Sequence, residues 1–156
     1  MNPAAESGPS DLSPSVRGSR RQARERALSL LYEAETKGID PQDVLSQLPV
    51  KPARFAAELV QGVADHRDEL DRFLGDYAHG WTVDRMPALD RALLRISVFE
   101  LLYRPDVPTA VVVSEAVELA QDYSTDESAG FVNGMLSNIA ETVRPVTPPV
   151  LGAETG

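Results

Sequence analysis

The chain has 156 residues, 24 acidic against 15 basic side chains, a formal net charge of -9 and no cysteine. That length suits one domain with a single core, and the lack of thiols excludes disulfides and thiolate metal sites, as suits a cytoplasmic protein. No apolar run approaches the roughly twenty residues of a membrane-spanning helix, so a soluble protein with no membrane association is expected.

Residues 1–16, "MNPAAESGPSDLSPSV", are rich in Pro, Ser and Gly and read as a disordered arm. The stretch "RGSRRQARERALSLLY" follows, in which Arg17, Arg20, Arg21, Arg24 and Arg26 are opposed only by Glu25. The local charge is +4, which leaves -13 for the remainder. So segregated a distribution suits a single anion-binding patch on an otherwise acidic body, rather than a protein that coats nucleic acid over its whole surface. Cations at a helix start oppose the helix dipole, which favours a ligand-binding role over a merely solvated helix start.

A helix is expected from Ser19, capped by the Ser19/Gln22 box, to Lys37 and Gly38. Its buried stripe is Ala23, Ala27, Leu30, Leu31 and Ala34. Tyr32 falls almost opposite, in line with Arg21, Glu25 and Leu28. Arginines that neutralise phosphates beside a ring that stacks on an unpaired base suit single-stranded RNA. Packing of Tyr32 on a neighbouring helix explains the same pattern equally well.

"DPQDVLSQL" is a short helix capped by Asp40, with Pro41 at its first position, stopping at Pro49. Helical periodicity resumes from Pro52 to Ala78, with Gly62 and "DHRDE" signalling a break near Asp65 to Arg67. After the loop "HGW", a helix from Pro87 to Tyr103 is apolar on nearly every side and should be central. Glu100 shares a face with Leu89, Leu93 and Ile96, so it needs a partner, for which Arg95 or Arg91 is expected. "RPDVP" connects to a helix in "TAVVVSEAVELAQDYS", and "STDES" caps a last one from Ser128 to Arg144, in which Asn133 and Gly134 suggest close packing. Residues 145–156 read as a flexible tail around a helical domain at 17–144.

No catalytic constellation stands out. The two histidines, His66 and His79, have no partners at metal-ligand spacing beyond a lone Asp76-x-x-His79, and no phosphate-binding glycine loop or nucleophile elbow is present. These residues point to binding, with no enzyme activity, cofactor or metal expected.

Four blocks in order, "RRQARERALSLLYEAE", "GWTVDRMPALDRALLRISVFELLY", "DVPTAVVVSEAVELAQDYS" and "DESAGFVNGMLSNI", resemble the NusB family of bacterial transcription antitermination factors. The resemblance implies an all-α fold of about seven helices in two packed bundles. It also implies binding of the boxA element of ribosomal RNA leader transcripts together with NusE, a small-subunit ribosomal protein, within an assembly of other Nus factors and RNA polymerase. On that basis the RNA-binding residues are Arg20, Arg21 and Arg24, with Arg17 and Arg26 alongside, Tyr32, and Glu127 and Phe131 from the last block. Asp84, Arg85 and Asp90 correspond to the surface used toward NusE. Gly130 stands where the family often has lysine, which makes that edge less basic. The other readings are a protein-only helical scaffold, and the similar amino-terminal domain of ribosomal RNA cytosine methyltransferases, which the lack of a nucleotide-binding unit argues against. Monomer and homodimer are both left open.

Overall fold

In the computed structural model, residues 14–146 are described, and all their regular structure is helical. Helix α1 spans Pro14–Lys37 and ends at Gly38, whose positive φ of 68° lets the chain turn without a Cβ clash. The helix therefore starts five residues before Ser19, and Ser19 and Gln22 lie inside it rather than forming a capping box. Pro14 suits the first turn, where its missing N–H costs nothing. Residues 14–16 thus belong to α1, while the rest of the expected arm, and the tail from 147, lie outside the described residues.

Helix α2 (Pro41–Ser46) is capped as the sequence predicts: the Asp40 carboxylate accepts from the Gln42 N–H at 2.8 Å. Helices α3 (Arg54–Asp65) and α4 (Arg67–Tyr77) meet at the break expected near Asp65 to Arg67, with His66 between them. Gly62 lies inside α3 rather than at that break. The Phe99 ring lies against its Cα, and a Cβ there would come within 2.2 Å of the ring, so the glycine is a close-approach site. Asn133 and Gly134, expected to pack closely, are instead exposed, and a Cβ at Gly134 would meet nothing within 4 Å.

A single 3-10 turn at Val83–Arg85 leads into α5 (Ala88–Tyr103), followed by α6 (Thr109–Tyr123) and α7 (Asp126–Val143). Helix α7 begins two residues before Ser128 because Thr125 is its cap, its hydroxyl accepting from the Ser128 N–H at 2.9 Å. Helices α1, α2 and α3 pack on one another, α4, α6 and α7 pack around α5, and α5 also touches α1 and α3. This explains the apolar character of α5 on all sides: every residue from Ala92 to Leu101 is buried. Leu30, Leu59, Leu93, Ile96, Leu119 and Ile139 meet in one core shared by both groups of helices. Among the described residues no helix is long and apolar enough to cross a membrane.

Charged side chains lock the packing where helices cross. Glu100 is 1% exposed, and its partner is neither Arg95 nor Arg91 but Arg24 of α1, itself 3% exposed, through two hydrogen bonds of 2.9 and 2.8 Å. Arg95 instead grips Asp71 of α4 at 2.7 and 2.9 Å and Glu35 of α1 at 3.2 Å. Arg91 donates to the carbonyls of Val83, Asp84 and Met86 and pairs with Glu35, holding the 3-10 turn onto α5. At the far end of α5, Arg144 donates to the carbonyls of Glu100, Leu101, Arg104 and Val107, tying the helix end and the connector after it to the end of α7.

Candidate nucleic-acid interface

The five arginines of the opening cluster have different surroundings because successive helical residues turn by about 100°. Arg17 lies in α1, with its side chain outside the described residues. Arg20 points toward α3, with its guanidinium 5.0 Å from the Phe55 ring centroid and 3.3 Å from Asp106. Arg21 points toward α6, where Glu118 and Asp122 accept from it at 2.8 and 2.5 Å and Glu115 lies 3.7 Å away, as does Glu25 one turn on in α1. Burial acts to lower the affinity of Arg21 for its proton, but the Glu118 hydrogen bond and the surrounding carboxylates outweigh it and hold the guanidinium above its ordinary pKa. Arg24 is enclosed with Glu100, and Arg26 is exposed. Arg24 is thus a strut of the core in this structure, not a surface group offered to phosphate. The expectation that it belongs to an exposed patch is corrected, because its line along α1 (Arg24, Ala27, Leu31) faces α5 rather than solvent.

Tyr32 is 42% exposed at the edge of a hollow it shares with Glu25, Leu28, Ser29, Leu89 and Tyr123. Leu28 is buried there, so the line Arg21, Glu25, Leu28 and Tyr32 is not simply an outer face. The ends of α5 and α6 cover its middle and leave Tyr32 at the margin. Tyr123, 52% exposed, donates to the Glu25 carboxylate at 3.0 Å, and that hydrogen bond pushes its phenol pKa up.

A second hollow of about 420 Å³ is lined by the chain neighbours of two residues of the first, Asp90 after Leu89 and Ser124 after Tyr123. It is lined by Trp81, Pro87, Thr125, Glu127, Ser128 and Phe131 besides Asp90 and Ser124. The Trp81 and Phe131 rings face each other at 6.1 Å between centroids, and Trp81 is 48% exposed. Asp90 is 2% exposed at the floor and accepts from the Ser128 hydroxyl at 2.7 Å, while its second oxygen, Oδ1, has no hydrogen-bond partner and is buried. Glu127 stands exposed on the first turn of α7, and Asp84 and Arg85 are exposed on the 3-10 turn.

The structure therefore places Tyr32 on one hollow and Asp90, Glu127 and Phe131 on the next, with Arg21 3.7 Å from Glu25 at the edge of the first, while Arg20 and Arg24 line neither. Sequence reasoning missed Trp81 and Tyr123 as site residues. Trp81, the single tryptophan of the chain, sits in the loop "HGW", where nothing apolar around it calls for burial; that was the available signal.

Among the described residues, seven helices in two packed groups, with aromatic and charged side chains lining two hollows on their surface, define a small all-α helical protein. The family comparison names which one: the NusB family model matches residues 21–141, and the chain belongs to that family. It is 52% identical over 126 residues to "Transcription antitermination protein NusB" of Kineococcus radiotolerans, covering 78% of this chain and 93% of that one. The protein of the same description from Salinispora arenicola is 50% identical over 129 residues, 78% of this chain and 95% of that one. Among solved structures, T. maritima NusB superposes with a TM-score of 0.72 at 29% identity, covering 78% of this chain and 90% of the other. A chain from the crystal structure of antitermination factors NusB and NusE in complex with dsRNA gives 0.69 at 27% identity, covering 80% and 97%.

Proposed function

We propose that the chain is a transcription antitermination factor that binds the boxA element of ribosomal RNA leader transcripts together with NusE, and through that pair joins other Nus factors on RNA polymerase. The observation that carries this reading is the pair of aromatic hollows lined by consecutive residues of α5 and of the α6 end. Three segments distant in sequence bring Tyr32 and Tyr123 to one hollow and Trp81 and Phe131 to the next, with Arg21 3.7 Å from Glu25 of the first, an arrangement that lets bases stack while a cation meets the phosphates. The solved relative bound to both NusE and RNA supports both partners. Glu127, exposed on the first turn of α7, is an acceptor suited to base N–H groups. Asp84 and Arg85 offer charges of both signs to NusE, and the acidic remainder of the chain suits a basic ribosomal protein. Asp90, being buried, supports that surface from beneath.

The test is an anisotropy titration of a labelled boxA RNA and a scrambled control, with and without NusE, for the wild type and Phe131→Ala. Preference for boxA, strengthened by NusE and weakened by the substitution, is expected. Equal, weak binding of both RNAs with an intact NusE complex would overturn the RNA reading in favour of a protein-only scaffold.

A further inference from the structure

Arg21 poses a problem for any reading in which it meets RNA: it is already engaged. Two carboxylates from consecutive turns of α6, Glu118 and Asp122, accept from its two terminal nitrogens at 2.8 and 2.5 Å, as two oxygens of a phosphate would. Both acids are more than half exposed, at 55% and 56%, so they are not held in place by burial and can swing aside. Arg21 is itself 23% exposed, and behind it Glu115 is only 17% exposed and fixed against α1. The guanidinium is thus anchored from behind by one enclosed acid and covered in front by two mobile ones.

We infer that Glu118 and Asp122 are affinity-setting residues that occupy the phosphate place on Arg21 in the free protein and compete with the RNA backbone for it. The inference rests on the RNA-binding reading above. Exchange is feasible because exposed ion pairs are worth at most about 1 kcal/mol each, less than a multi-contact RNA site supplies. It also makes binding selective. A polyanion without well-placed bases gains little from displacing two acids that then face its own charge, whereas an RNA whose bases fill the aromatic hollows retains the gain from stacking. Displaced acids take up salt cations, so the exchange also reduces the net release of counterions on binding.

The experiment is a double-mutant cycle read by anisotropy with boxA RNA and a scrambled control across a salt series. The four proteins are the wild type, Glu118→Gln/Asp122→Asn, Arg21→Gln and the triple variant. Removing the two acids is expected to tighten binding roughly three- to tenfold, more for scrambled RNA than for boxA, and to steepen the slope of log K against log salt by up to about one. In the Arg21→Gln background the same pair of substitutions should change affinity less than about twofold. An equal gain with and without Arg21 would show that only net charge matters and would overturn the competition while leaving RNA binding in place. If none of the four proteins binds either RNA, the RNA reading fails and the competition with it.

Discussion

Replacing Arg24 by methionine removes one half of the ion pair that α1 makes with α5 and leaves the carboxylate of Glu100, 1% exposed, without its two hydrogen bonds of 2.8 and 2.9 Å. Breaking a buried pair from one side costs about 3–5 kcal/mol, because the remaining charge has lost its compensation. For a domain of this size that lowers the melting temperature by roughly 10–20 °C. The opposite single change, Glu100→Leu, should cost less. Arg24 would keep Glu115 at 3.9 Å and the face of Phe55 at 5.4 Å, whereas Glu100 would keep the attraction of Arg104 and Arg144 from beyond ion-pair distance. The double change Arg24→Met/Glu100→Leu should recover most of the loss, since a buried pair and a packed apolar contact of similar volume are nearly equivalent. Urea denaturation of the four proteins gives the stability cycle, and boxA binding of the same four, measured where each is folded, gives the functional one. A strut predicts that the double variant is stable and binds RNA like the wild type. A double variant that is stable yet loses RNA binding as fully as an arginine deletion at a phosphate contact would refute the placement of Arg24 in the core.

Further outcomes follow from other contacts. Arg144→Met should destabilise the fold by about 2–3 kcal/mol in denaturant titration, because the carbonyls at the end of α5 and in the connector lose a shared charged donor. The Asp106 carboxyl, held down to about 2 from 3.8 chiefly by its hydrogen bonds from Arg104, contributes stability that is complete above about pH 4 and is lost as pH falls toward 2. Thermal melts of Asp106→Asn should therefore show a shallower acid limb in that window and a lower stability at pH 7. Glu115 acts in the other sense: burial raises its pKa, so its ionised form weighs against the fold at neutral pH and that cost eases on mild acidification. Trp81, the only tryptophan, should report RNA directly, with boxA titration changing its emission and Phe131→Ala reducing that change. No change in emission at saturating RNA would place the bases elsewhere.

The helices were legible because apolar spacing is a local property, and so were the cap at Asp40 and the break around His66. The start of α1 was not: Ser19 is an adequate cap, and only packing decides whether the chain is already helical before it. Glu100 could be read as buried from its position among leucines, but a sequence does not say which arginine crosses to it. The local candidates Arg91 and Arg95 turned out to serve Glu35, Asp71 and the carbonyls of the 3-10 turn. Arg24 shows a related blindness: its register with Ala27 and Leu31 placed it on the buried side, yet a charged residue in a basic cluster invites the surface reading. The aromatic face was only half legible, since Tyr32 came from helical spacing and Phe131 from the family resemblance while Trp81 and Tyr123 join them only through the fold. Gly62 and Gly134 carry opposite lessons, because nothing local distinguishes a glycine under a ring from one in open space.

The grip of Arg144 on the end of α5 has a bearing on how the protein is made. The acceptors it serves, at Glu100, Leu101, Arg104 and Val107, leave a ribosome some forty residues ahead of their donor. Until α7 emerges and closes over α5, the central helix carries an open end and an uncovered apolar side, the kind of surface that attracts chaperones or other nascent chains. Synthesis of the last helix is therefore the event that turns a collection of emerging helices into a finished body.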